Sequence, residues 1–276
     1  MIGAIAGDIV GSVYEWSNYK AKDFSPLFRA DCFYTDDTIC TIAVADALLN
    51  QKPPAQCLKD WGLRYFENNG WGSSFRRWLQ SPDDGPYNSW GNGAAMRVSP
   101  AAWLATSLEQ ALEFSRMVTE VTHNHPEGLK GADATTVAIY LARQGTVAAD
   151  IRTYLQTTFG YDLSATVDQI RPTYVFNESC QGTVPQALTC ALEATSFEDA
   201  IRNAISIGGD SDTVAAIAGP VAEALFGMPD WIQSEVKSKL PGEMTRVLAE
   251  LYRETYAAIG IFDGHTTGRA KNIVRR

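Results

Sequence analysis

The chain has 276 residues, of which 45% are hydrophobic and 20% charged, so it can build one large core or two small ones and does not read as disordered. A formal net charge of −9 argues against broad binding to nucleic acid or an anionic membrane, although a local basic pocket can still take a phosphorylated ligand. Cys32, Cys40, Cys57, Cys180 and Cys190 form no CxxC pair and several fall in apolar segments, a usage that fits a reducing cytoplasm.

Ile2 to Val13 mixes small and apolar residues with Gly3, Gly7 and Gly11, which predicts a closely packed helix with Asp8 turned toward a polar interior. It lacks the basic start and long apolar stretch of a signal peptide, and no run in the chain approaches membrane-spanning length, so a soluble, intracellular protein is expected. Glu15 and Trp16 precede a long polar loop from Ser17 to Asp31, and loops of that length are often functional. Thr35-Asp36-Asp37-Thr38 then opens a nearly continuous apolar run, Ile39 to Leu49, that reads as a buried helix. A further helix is expected from Ala55 to Glu67, closed by Asn68-Asn69-Gly70.

Trp71, Phe75, Trp78, Tyr87 and Trp90 lie among Gly, Ser, Pro and Asp, as in an ordered loop or short helices over a cleft, with plain packing as the simpler role for most of the rings. In Gly91-Asn92-Gly93-Ala94-Ala95-Met96-Arg97 the glycines allow a turn whose N–H groups can face an anion, and Arg97 offers a bidentate partner for phosphate or carboxylate. An ordinary turn with a surface arginine fits the same residues. Leu108 to Val121 predicts an amphipathic helix ending at His123 and His125, of which His123 is the binding candidate and His125 the structural one.

Helices are expected at Gly131 to Ala142, Val147 to Tyr154 and Gln186 to Ala194, the last capped by Gly182-Thr183-Val184-Pro185. Ser196-Phe197-Glu198-Asp199 has the spacing of a cap for Ala200 to Ile207. That helix leads into Gly208-Gly209-Asp210-Ser211-Asp212-Thr213, and the apolar segment Val214 to Phe226 follows with Val214, Ile217, Ala218, Val221 and Leu225 on one face. Trp231 to Leu240 and a last helix carrying Val247, Leu248, Leu251, Thr255, Ile259 and Phe262 on one stripe complete the chain, before a basic tail. Without a strand series or a linker, the pattern predicts one all-α domain over residues 1–276.

The two acidic stretches share one chemistry. Each sets carboxylate and hydroxyl oxygens at the mouth of a core helix, without the thiolates or imidazoles that suit zinc or copper. Either they are two solvated helix caps, or they meet around divalent cations that relieve their repulsion.

In this order, Gly7-Asp8 with Glu15, Thr35-Asp36-Asp37-Thr38, Gly91 to Arg97, His123 with Pro126, Val184-Pro185 and Gly208 to Thr213 resemble the ADP-ribosylglycohydrolase family. The resemblance covers most of the chain and implies a compact all-α fold with two Mg²⁺ or Mn²⁺ ions at its centre. It places their ligands at Thr35, Asp36, Asp37, Asp210, Asp212 and Thr213. The implied reaction is hydrolysis of the bond from the distal ribose C1 of ADP-ribose to an acceptor, with ADP-ribose as product. Glu15 matches a mobile, essential glutamate, and Asp36 is the other candidate for general acid or base. Substrate contacts are implied for Gly91, Asn92, Gly93, Met96 and Arg97 around the diphosphate or its ribose, for His123 beside the distal ribose, and for Gly208, Gly209 and Ser211.

The partner implied is an ADP-ribosylated protein or another ADP-ribosyl conjugate. The loops Ser17 to Asp31 and Trp71 to Trp90 match no specificity group, which leaves the acceptor open. The resemblance puts arginine first, as the frequent bacterial substrate of such families, with serine, a nucleic-acid base or a free conjugate as alternatives. An ADP-ribose reader without activity, a structural protein of the crystallin type and a hydrolase attacking phosphorus are the competing functions.

Overall fold

The computed structural model describes residues 1–68 and 70–258, and its regular elements are helices. In chain order they are α1 (Ile2–Gly11), α2 (Asp36–Leu49), α3 (Pro54–Arg64), α4 (Ser73–Gln80), α5 (Gly93–Met96), α6 (Ser99–Leu104), α7 (Leu108–Thr119), α8 (Pro126–Arg143), α9 (Ala148–Phe159), α10 (Val167–Ile170), α11 (Cys180–Leu192), α12 (Phe197–Ser206), α13 (Ser211–Phe226), α14 (Asp230–Lys239) and α15 (Gly242–Ala258). Among the described residues the only β pairing outside helices is an isolated antiparallel bridge between Gly91 and Ser179. No described helix is long and apolar enough to cross a membrane. The five cysteines are buried and free. The stripe positions Ile259 and Phe262, and the basic tail, lie outside the described residues.

The fold is a single compact helical domain built around α13, which is buried from Ser211 to Glu223 and packs against α1, α8, α11 and α12. Its tightest partner is α1, because glycines spaced four residues apart bring two backbones together on one helix face. A Cβ on Gly3 would stand 2.4 Å from the Gly219 oxygen, one on Gly7 2.1 Å from the Ala215 oxygen, and one on Gly11 2.3 Å from the Asp212 Cα. The pairing 3 with 219, 7 with 215 and 11 with 212 makes the two helices antiparallel, so the end of α1 meets the start of α13. Helix α2 packs on α1, α3, α6 and α15 and starts beside the same point.

Several boundaries differ from expectation. Helix α2 begins at Asp36, because the Thr35 hydroxyl caps it by accepting from the Asp37 N–H at 3.2 Å. Helix α11 begins at Cys180, with Ser179 Oγ accepting from the Gly182 N–H at 3.1 Å. The Gly182 to Pro185 stretch therefore lies inside the helix it was expected to cap. Burial of Cys180, Thr183 and Val184 together with the Ser179 cap outweighs the roughly 3 kcal/mol penalty of an internal proline. Ser196 caps α12 as the spacing predicts, accepting from the Asp199 N–H at 3.1 Å. Trp71, Phe75 and Trp78 are buried and pack on one another, whereas Trp90 is exposed.

Candidate active site

Asp8 joins α1 to the first acidic stretch. Buried in the last turns of α1, its carboxylate accepts from the Thr35 N–H at 3.0 Å, the Thr35 hydroxyl at 2.7 Å, the Thr38 N–H at 3.1 Å and the Thr38 hydroxyl. Burial raises its pKa to about 6, against the pull of these four donors. The sequence predicts only that Asp8 faces a polar interior. Its partners are far along the chain, and no local pattern announces them.

Thr35 has a single hydroxyl hydrogen, which goes to Asp8, and one lone pair that takes the Asp37 N–H. The second lone pair remains available to a cation. The next residues supply the charge. Asp37 is buried, and burial followed by the nearby Asp8, Asp36 and Asp210 carboxylates raises its pKa well above the usual range. Asp36 is half-buried and is raised to about 8, by burial first and Asp8 next.

The second acidic stretch meets the first. Thr213 places its hydroxyl against Asp37, and Asp212 is raised well above the usual range by burial, then by Asp210, Asp37 and Glu15. Glu15 arrives from the turn after α1 and is raised to about 7, by burial first and then by Asp210 and Asp8. Oxygens of Glu15, Asp210 and Asp212 lie within 4.8 Å of one another. Expected as an acid or base, Glu15 thus also stands where a cation ligand could stand.

This donor set fits a hard divalent cation. All the converging atoms are oxygens, and Asp37 Oδ2 is buried without a hydrogen-bond partner among the described residues. An orphaned carboxylate oxygen amid mutually repelling carboxylates is costly unless positive charge lies beside it.

The turn before Asp210 is held by backbone conformation. Gly208 and Gly209 have φ of +71° and +72°, and a Cβ on them would meet Asn18 Oδ1 at 2.4 Å and the Tyr174 ring at 2.7 Å. Asn18 accepts from the Gly209 N–H at 3.2 Å, and Lys20 Nζ donates to the carbonyls of Tyr174 and Ile207 at 2.5 Å each. The start of the Ser17 to Asp31 loop is therefore fastened beside the acidic centre. Ser211 is fully buried and its hydroxyl bonds to the Gly209 carbonyl at 3.3 Å.

In the Gly91 to Arg97 stretch, expected to cradle an anion, most N–H groups already have acceptors within the fold. The Gly91 N–H bonds Ser89 Oγ, that of Asn92 bonds the Glu178 carbonyl, and those of Ala94, Ala95 and Met96 bond back into the turn. Its contribution comes from the Asn92 side chain, which reaches Asp210 Oδ2 at 2.6 Å and Thr183 Oγ1 at 3.3 Å. Met96 is buried in the core. Arg97 is 1% exposed and is no surface arginine: it donates to the Thr122 hydroxyl at 2.5 Å and lies over the Phe75 ring.

His123, 4% exposed, has Nδ1 2.7 Å from the Thr122 hydroxyl and its other nitrogen beneath Gly93, where a Cβ would come within 3.2 Å. Burial and the Arg97 charge lower its pKa well below the usual value, so it is a neutral imidazole supporting the turn from below. His125 caps α8 by accepting from the Glu127 N–H at 3.1 Å.

The family model for ADP-ribosylglycohydrolase matches residues 1–260. Among curated relatives, the ADP-ribosylhydrolase ARH3 of Mus musculus is 26% identical, covering 91% of this chain and 89% of the relative. The ADP-ribosylarginine hydrolase Tri1 of Pseudomonas putida (strain GB-1) is 27% identical, covering 84% and 72%. A solved structure titled as an ADP-ribosylglycohydrolase-related protein complex shares the fold, with a TM-score of 0.64 over 95% of this chain and 94% of that one, at 23% identity.

Proposed function

The chain belongs to the ADP-ribosylglycohydrolase family, and from that premise we propose that it is a metal-dependent hydrolase cleaving the bond between C1 of the distal ribose of ADP-ribose and an acceptor. Its relatives' ADP-ribosylhydrolase and ADP-ribosylarginine hydrolase names support the hydrolase class. The observation that carries the reading is the convergence of Glu15, Asp210 and Asp212, with Asp37 of the first stretch close enough to raise Asp212 and bearing an unpartnered Oδ2.

We assign Thr35, Asp36, Asp37, Asp210, Asp212 and Thr213 to holding two Mg²⁺ or Mn²⁺ ions. Such ions would supply the positive charge that neutralises these carboxylates and would lower the pKa of a water there. The chain's own residues do the rest. Glu15 is half-exposed beside Asp210 and Asp212, so it can exchange a proton with solvent and take one from water. The remaining carboxylates favour the positive charge that builds on the ribose ring as the bond to the acceptor lengthens. Asn92 and Asp8 hold Asp210 and Thr35 in place.

Arginine is the acceptor we favour, with serine and a nucleic-acid base as outcomes to be tested. The test is the product formed from each conjugate with Mg²⁺ and then with EDTA. Release of ADP-ribose, stopped by EDTA, is expected. Release of AMP or phosphate would move the attack to phosphorus and overturn the reading.

A further inference from the structure

Trp16 follows Glu15 directly and is 79% exposed, the most exposed of the large hydrophobic side chains described. A large ring in water adds little to stability; the Trp16 side chain hydrogen-bonds Glu15, which fixes the indole beside the acidic site. One face of the indole stacks on Phe176, with centroids 5.1 Å apart and planes 16° from parallel, and Phe176 is itself 37% exposed. The stack is fixed at both ends. Trp16 is two residues from Asn18, which accepts from the Gly209 N–H, and Phe176 follows Val175, whose backbone lies against Gly209. Beyond Phe176, the Glu178 carbonyl accepts the Asn92 N–H at 2.7 Å, and its exposed carboxylate lies close enough to repel Glu15 and Asp210.

The rim of the acidic site thus carries an aromatic face with an open side and a free carboxylate near it. That combination suits a flat cation: a guanidinium stacks on an indole and pairs with a carboxylate, whereas a serine side chain offers neither a plane nor a charge. We propose that the Trp16–Phe176 stack, with Glu178, seats the guanidinium of the acceptor, so that this chain selects arginine-linked over serine-linked ADP-ribose. The inference rests on the hydrolase reading above and adds its specificity-determining residues.

The experiment compares arginine-linked and serine-linked ADP-ribosyl peptides with the Mg²⁺-loaded full chain and its Trp16→Ala, Trp16→Phe and Glu178→Gln variants. The wild type is expected to prefer the arginine linkage. Trp16→Ala should reduce kcat/KM for it roughly tenfold, mostly through KM, with Trp16→Phe retaining most of the activity and Glu178→Gln giving a smaller loss. Affinity for free ADP-ribose, read by calorimetry, should change less than about twofold in Trp16→Ala, because the product lacks the acceptor. A preference for the serine linkage, or an equal loss on both linkages with Trp16→Ala, would overturn the platform while leaving the hydrolase reading standing. Release only from an ADP-ribosylated nucleic acid, assayed beside the peptides, would overturn the platform alone. No ADP-ribose release from either peptide or from that conjugate by the wild type would overturn the hydrolase reading and the platform with it.

Discussion

Asn92 donates to the Asp210 carboxylate at 2.6 Å, joining a short glycine-flanked turn to an acid far along the chain. The bond favours the charged form of Asp210 against its burial. Asn92 also reaches Thr183 Oγ1, so one amide sets the distance between α5, α11 and the start of α13. Asn92→Ala is expected to weaken Mg²⁺ or Mn²⁺ binding and turnover about 10- to 100-fold, the usual effect of losing a group that orients a ligand. Unchanged metal affinity in a calorimetric titration would remove Asn92 from that role.

Asp8 accepts from two N–H groups and two hydroxyls, all buried. Asparagine has the shape but brings two hydrogens toward donors, and alanine leaves every donor unmet. Asp8→Asn should lower unfolding free energy by about 1–3 kcal/mol and reduce metal affinity, since Thr35 loses its anchor. Wild-type denaturation and metal binding in this variant would show that Thr35 is oriented by other means.

How much of this was legible beforehand follows from the range of each interaction. The acidic stretches, the all-α class and the Ser196 cap were readable because they depend on residues close in sequence or on helical periodicity. That Asp37 and Asp212 share one space was suggested by their chemistry and by family resemblance, and it takes the antiparallel α1–α13 contact to bring the chain ends of that argument together. Arg97 misled because a glycine-flanked arginine reads alike whether it faces solvent or, as here, Thr122 and Phe75. The Pro185 boundary misled because a local helix breaker was overridden by burial. The Trp16–Phe176 stack left no sequence signal at all, since two exposed aromatics in separate loops become a pair only in the fold.

The α1–α13 seam ties stability to the site. A methyl on Gly11 would stand 2.3 Å from Asp212 Cα and 2.5 Å from its nitrogen, backbone atoms that cannot swing aside. Gly11→Ala is expected to destabilise by at least about 1–3 kcal/mol and to cut turnover by displacing Asp212. Gly242→Ala, whose methyl meets open space, is the control and should leave both near wild type. Normal turnover in Gly11→Ala would mean that the seam relaxes without moving the site.

Without metal, the carboxylates make stability fall with rising pH. Asp8, Glu15 and Asp36 sit at about 6, about 7 and about 8 in the fold, above their unfolded values near about 4. From pH about 4 to about 8 the folded chain therefore holds more protons than the unfolded one, and their stabilising contribution, complete at low pH, is lost across that window. The EDTA-treated protein should melt at a lower temperature at pH 8 than at pH 6, and Mg²⁺ should raise Tm more at pH 8. The Met1 amine, lowered to about 5 by burial, opposes this trend, so the check is a variant. The fall in metal-free Tm from pH 6 to pH 8 should be smaller in Asp36→Asn than in wild type, and an equal fall would contradict the Asp36 shift.

The most direct measurement is a Mn²⁺ titration of the wild type beside Asp37→Ala and Asp212→Ala, with circular dichroism of all three. One substitution lies at the start of α2 and the other at the start of α13. If both helix starts hold the same ions, each substitution alone should abolish high-affinity binding while the helical signal stays intact. Wild-type affinity in either variant would contradict a shared site, and with it the account of function built on that site.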